Sequence, residues 1–91
     1  MEPIEVVRAP SQTQLDELSI TAWPVWEHET ATFPWTYDAR ERCYLLEGEV
    51  VVTPDGGLPV SFGAGDLVTF PAGMSCTWEI RRAVRKHYRF G

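Results

Sequence analysis

Cysteine and histidine are scarce, at two residues each in a chain of 91. Two cysteines can form at most one bridge, which excludes the dense disulfide framework of small secreted domains and leaves two thiols as the expectation. No apolar run approaches the roughly 18 to 20 residues of a membrane-spanning helix. The Met-Glu-Pro start has no basic stretch leading into an apolar one, so no secretory leader is read there. A soluble cytoplasmic protein with no membrane partner is the expectation. Internal repeats, linkers and low-complexity tracts are also missing. Ninety-one residues suffice for one ordinary core, and residues 1–91 are read as a single domain.

Positive charge is thin over most of the chain. Residues 1–79 carry all 13 carboxylates against Arg8, Arg40 and Arg42, whereas the tail holds Arg81, Arg82, Arg85, Lys86 and Arg89. With a net charge of −5 and no nucleic-acid-binding motif, the basic tail reads as a strand that pairs with acidic neighbours or faces water, and no nucleic-acid partner is expected. What is plentiful is apolar and aromatic surface: 44% of residues are hydrophobic and four are Trp, enough to fill a core and unlike a disordered segment.

One stretch carries helical signals. In Ser11-Gln12-Thr13-Gln14-Leu15-Asp16-Glu17-Leu18, Ser11 is placed as N-cap, Gln14 as its capping-box partner, and Leu15 and Leu18 share a face. The remainder divides into extended pieces between turn residues: 25–35, 41–53, 58–62, 67–70, 75–80 and 84–90. The amino-terminal segment 4–8 and the tail read as edge strands, which natural proteins tend to pair or cover. Thr53-Pro54-Asp55-Gly56-Gly57 is a hairpin signal, because Asp-Gly readily adopts the left-handed conformations such loops need. In Cys43-Tyr44-Leu45-Leu46 both strand faces are apolar, which calls for cover on both sides, by a closed barrel or by a dimer.

Two segments carry a family resemblance. Glu41 and Gly48, within Trp35-Thr36-Tyr37-Asp38-Ala39-Arg40-Glu41-Arg42-Cys43-Tyr44-Leu45-Leu46-Glu47-Gly48, have the spacing of the first cupin motif. Gly65-Asp66-Leu67-Val68-Thr69-Phe70-Pro71-Ala72-Gly73-Met74-Ser75-Cys76 resembles the second. The resemblance implies an all-β fold: one cupin (RmlC-like jelly-roll) β-barrel with a short N-terminal helix. Over nearly the whole chain, Trp23-Pro24-Val25-Trp26-Glu27, Trp35-x-Tyr37, Cys76-x-Trp78 and Val84-Arg85-Lys86-His87-Tyr88 add a likeness to the small cupins of the ureidoglycine aminohydrolase-type family. At the four positions that bind a divalent ion in metal-dependent cupins this sequence has Trp35, Tyr37, Glu41 and Cys76, so neither a metal nor another cofactor is expected. Family members commonly dimerise, which implies a homodimer.

If that alignment holds, alternation points Trp35 and Tyr37, Glu41, Cys43 and Leu45, and Cys76, Trp78 and Ile80 into the barrel. The expected ligand-binding residues are Trp35, Tyr37, Glu41, Cys43, Cys76, Trp78 and His87, with Glu41, Tyr37 and Cys76 as the candidates for catalysis. Glu41 would act as acid or base, or merely anchor its strand by a bond from Tyr37 or Trp35. Cys76 acts as a nucleophile only beside a base, and is otherwise an inert thiol. Cys43 and Cys76 with Glu41 and either His28 or His87 form a weaker zinc alternative. Trp35 and Trp78 are read as pocket walls, Trp23 and Trp26 as core. The function that follows is binding of a small polar or anionic molecule in the barrel without a metal. The alternatives are an enzyme of the ureidoglycine aminohydrolase-like type, with hydrolase or isomerase chemistry, and a structural or regulatory dimer with a filled barrel.

Overall fold

Two long strands carry most of the structure, a computed structural model that describes residues 2–91. In chain order the elements are β1 (Glu5–Val7), α1 (Gln12–Leu18), a 3₁₀ turn (Ile20–Ala22), β2 (Val25–His28), β3 (Ala31–Thr36), β4 (Glu41–Pro54), β5 (Val60–Gly63), β6 (Leu67–Phe70) and β7 (Ser75–Phe90). Strands β4 and β7 run antiparallel, from Glu41 opposite Phe90 to Pro54 opposite Cys76. Each serves two further partners. The first half of β4 pairs with β6 and its second half with β5, while β7 pairs first with β3 and then with β2. β1 extends the sheet beyond β6. The result is the cupin jelly-roll barrel with one short helix.

Along β4, where two partners attach in succession, the pleat resets midway, whereas the inward phase of β7 is kept throughout. Glu41, Cys43 and Leu45 are buried in the first half of β4, and Val50 and Val52 in the second, so the inward phase passes from odd to even. Register shifts between Leu45 and Val50 make that change. Gly48 stands in the middle at φ +116°, where a Cβ would lie 2.9 Å from the carbonyl oxygen of Ala83 and from Val84 Cα. Only glycine lets the two backbones cross so closely, which explains this position of the first motif physically.

The 25–35 piece is two strands, because β2 and β3 bind different halves of β7. Conversely, 75–80 and 84–90 are one strand, since Arg81, Arg82 and Ala83 stay extended on the exposed outside of the bend, with Arg82 opposite Glu49. The hairpin after Pro54 joins β4 to β5, and Gly56 adopts φ +72°.

Helix α1 has the capping box the sequence implies: the Ser11 hydroxyl accepts the Gln14 backbone N–H at 3.2 Å, and the Gln14 side-chain Oε1 accepts the Ser11 backbone N–H at 3.1 Å. Leu15 and Leu18 pack with Ile20, Trp23, Leu67 and Tyr44 in an outer cluster. The second apolar face of β4 is therefore covered at Tyr44 by the chain's own amino-terminal segment, while Cys43 and Leu45 face the interior.

Candidate ligand-binding cavity

Along β7 the inward positions are Cys76, Trp78, Ile80, Val84 and then Lys86, all buried. Lys86 is the one lysine among eight basic residues. Its Nζ lies 3.0 Å from Glu41 Oε2, and the two side chains are only 6% and 5% exposed. The ammonium also sits 4.7 Å from the Trp78 ring centroid and 5.0 Å from that of Trp26, close enough for cation–π attraction. Taking both charges out of water is costly, and the mutual pairing with charge-assisted hydrogen bonding offsets that cost. The anchor expected for Glu41 from Tyr37 or Trp35 is thus supplied by Lys86, the two side chains reaching toward each other across the four residues of register that separate the Leu45–Lys86 and Glu41–Phe90 pairs.

A cavity of about 230 Å³ opens beside this pair. Trp26 and Phe33 form one side, with Phe33 stacked on Trp78 at 6.2 Å. Tyr88 lines the cavity from β7, and Trp35 and Phe90, each 48% exposed, stand at its solvent side. Tyr37 lines it from the segment after β3. The Tyr37 N–H donates to the Met74 carbonyl at 2.9 Å, and its own carbonyl accepts the Gly73 N–H, so the Pro71-Ala72-Gly73-Met74 turn of the second motif fixes its position. The Trp78 indole N–H donates to the Tyr37 hydroxyl at 3.1 Å. Burial, and next the nearby Glu41 carboxylate, push the Tyr37 phenol well above its usual range, so it is a neutral polar group.

Of the residues expected at the site, the structure brings Trp35, Tyr37, Glu41 and Trp78 to one cavity and leaves three elsewhere. Cys43 is fully buried in the packed core. Cys76 lies beneath the lining, its Sγ donating to the Trp35 carbonyl at 3.6 Å. Burial, and next Asp55, push the Cys76 thiol up to about 11, and burial pushes Cys43 up to about 12. The Cys76 thiol is thus held protonated and does not line the cavity, an environment that disfavours the thiolate a nucleophile needs. His87 follows Lys86 and so points to the opposite face, its Nδ1 2.9 Å from the Trp23 carbonyl in a cleft lined by Tyr44 and Leu46. His28 stacks on Trp26 at the exposed end of β2.

Sequence reasoning misses Lys86; Trp26, which packs against the core as expected, lines the cavity as well. A signal existed: alternation puts Lys86 on the face of Tyr88 and Phe90, so a single cation interrupts an aromatic face. Its neighbours Arg85 and Arg89 made the whole tail look solvated.

These residues do not fit a divalent metal. Among the described residues no three His, Cys, Asp or Glu side chains come close enough to hold one, and the single carboxylate at the cavity already pairs with an ammonium that would repel a cation.

Residues 15–88 match the family described as EutQ-like cupin domain. The chain is similar to the crystal structure of a DUF861 family protein of Thermotoga maritima, at 44% identity and a TM-score of 0.94, over 98% of this chain and all of that one. It is also similar to a protein named for ethanolamine utilization (protein Q) from Salmonella typhimurium, at 32% identity, TM-score 0.66, 72% of this chain and 53% of that one. The EutQ protein of Clostridium difficile matches at 27% identity and TM-score 0.66, over 72% and 52% of the two chains. The chain spans about half the length of these two. No curated protein matches it.

Proposed function

Because this chain belongs to the EutQ-like cupin domain family, we propose that its barrel serves as a binding site for one small polar or anionic molecule with a flat face. The molecule is taken up in the aromatic cavity and read by Lys86 and Glu41. The buried pair carries this reading. An ion pair shielded from water stabilises a fold less than well-packed apolar residues of the same volume would, and here it lines a cavity where it can meet a ligand. The pair offers one donor and one acceptor side by side, which suits a carboxamide, a ureido group or a carboxylate carrying a neighbouring N–H. The volume lies below the roughly 300 to 1,000 Å³ usual for drug-sized ligands, so the occupant is small. A simple ammonium such as ethanolamine would meet the like charge of Lys86, so the role in the longer relatives' name is not carried over.

An enzymatic reading, in line with the likeness to the ureidoglycine aminohydrolase-type cupins, has one observation in its favour: a proton donor and a carboxylate stand 3.0 Å apart at the cavity. In that reading Lys86 takes the place expected for Cys76. The metal-dependent chemistry of the larger enzymes is not part of it, since the donors do not fit.

A thermal-shift screen of small amides, ureas and carboxylates tests the proposal, because a ligand that binds only the native state raises the melting temperature. A hit is expected to lose its stabilisation in Glu41→Gln and in Trp78→Leu. A hit unaffected by both would place the site elsewhere.

A further inference from the structure

Position 86 holds lysine, while the other seven basic residues are arginine. Arginine is the better cation for a buried pair, because its guanidinium is weakly hydrated and grips a carboxylate with two bonds. Lysine is the cation that can give up its proton and become a nucleophile. The chain inverts the packing preference: arginine serves the more exposed pairs, such as Arg8 with Asp66 at 2.7 Å, and lysine, the cation suited to chemistry, serves the buried one.

From this amine, its carboxylate and the space beside them, we infer that Lys86 forms a reversible imine with small aldehydes or ketones that enter the cavity. The inference rests on the reading of the cavity as a ligand site. Glu41 Oε2 takes one proton from the Lys86 ammonium across 3.0 Å. The freed nitrogen lone pair bonds to the carbonyl carbon, and the C=O π pair moves to oxygen, which receives a proton from the same nitrogen to give a neutral carbinolamine. The Glu41 carboxyl group then protonates the hydroxyl, water leaves, and the nitrogen lone pair completes the C=N bond. Glu41 ends as carboxylate and Lys86 as iminium, with one water released and nothing oxidised or reduced.

The surroundings suit the product as well as the reactant. Ammonium and iminium carry the same charge, so the pairing with Glu41 and the attraction of the Trp26 and Trp78 faces act on both. Phe33 and Tyr88 line the space with aromatic surface, which favours a carbonyl bearing a flat apolar substituent.

Benzaldehyde with sodium cyanoborohydride traps such an imine as a stable secondary amine, which peptide mass mapping locates. With one lysine in the chain, a side-chain adduct can only be Lys86, and the terminal α-amine is an internal reference. Lys86 is expected to be labelled at lower benzaldehyde concentration than the α-amine, with saturation, and about tenfold or more slowly in Glu41→Gln. Labelling confined to the α-amine overturns the inference, as does an unchanged rate in Glu41→Gln. The selectivity within the native protein decides the matter even where that variant fails to fold. Benzyl alcohol, of the same shape without the carbonyl, separates the two readings by thermal shift. Stabilisation by benzyl alcohol without labelling of Lys86 removes the imine and leaves the binding site. The absence of both effects removes the imine, and the binding reading falls with it only if the screen of amides, ureas and carboxylates also gives no hit.

Discussion

Phe70 and Lys86 are both buried in one barrel, yet one stands in solid packing and the other beside a void. Around Phe70, Tyr37 stacks at 4.9 Å, and Phe62 and Trp78 close in at 5.8 and 5.5 Å. Cys43, Val68 and Cys76 fill the rest of that region with small apolar groups. Around Lys86 the aromatic rings stand back from one ion pair and leave about 230 Å³ unfilled. Tyr37 and Trp78 belong to both regions, as packed rings on one side and cavity lining on the other. On the proposed reading, the difference marks where the demands of stability and of binding separate. A region that needs only to hold together has no reason to bury charge, whereas one that receives a polar guest has to keep a polar group out of water in advance.

Three changes sharpen or break that contrast. The largest effect is expected from Phe70→Ala, which removes a fully buried ring and leaves a cavity, at roughly 3 to 5 kcal/mol of unfolding free energy by urea titration. A loss under about 1 kcal/mol would mean that the packed region collapses easily and is not close-packed. Next comes Lys86→Met, which leaves Glu41 buried beside no counter-charge and should cost about 3 kcal/mol. Adding Glu41→Leu should restore most of that stability while abolishing ligand binding. If the double variant is as unstable as the single one, the pair is structural and the contrast fails.

The smallest effect is in the pH dependence of the packed region. Folding raises Cys76 from the ordinary 9.0 to about 11 and Cys43 to about 12, so both hold their protons more tightly in the native state. Their contribution is complete below pH 9 and is lost as pH rises through 11 and 12, because the unfolded thiols ionise first. The urea midpoint should fall between pH 9 and pH 11, and by less in Cys76→Ala than in the parent. A parent midpoint that is flat over that range would show that the thiols are not desolvated.

Much of the local structure was legible. The Ser11 capping box, the Asp-Gly hairpin and the two motif segments each rest on residues within a few positions of one another, and each appears where the residues place it. The candidate site was legible in part. Trp35, Tyr37, Glu41 and Trp78 follow from motif spacing and alternation, but Cys43 and Cys76 share their inward faces and still end beneath the cavity. Alternation says which way a side chain points and not how far along the lumen it lies.

The helix cap and the Asp-Gly hairpin were therefore determined by the sequence alone, because they depend on local hydrogen bonds and dihedral preference, whereas the division of 25–35 into two strands, the joining of 75–80 to 84–90 and the close crossing at Gly48 were not. Tertiary structure decided that β4 would shift register around Gly48, that β7 would carry Lys86 to Glu41 forty-five positions away in the chain, and that His87 would turn to the outer cluster. A charge is inside or outside according to what folds over it, and here the partner that makes burial of the lysine tolerable arrives only through the non-local pairing of β4 with β7.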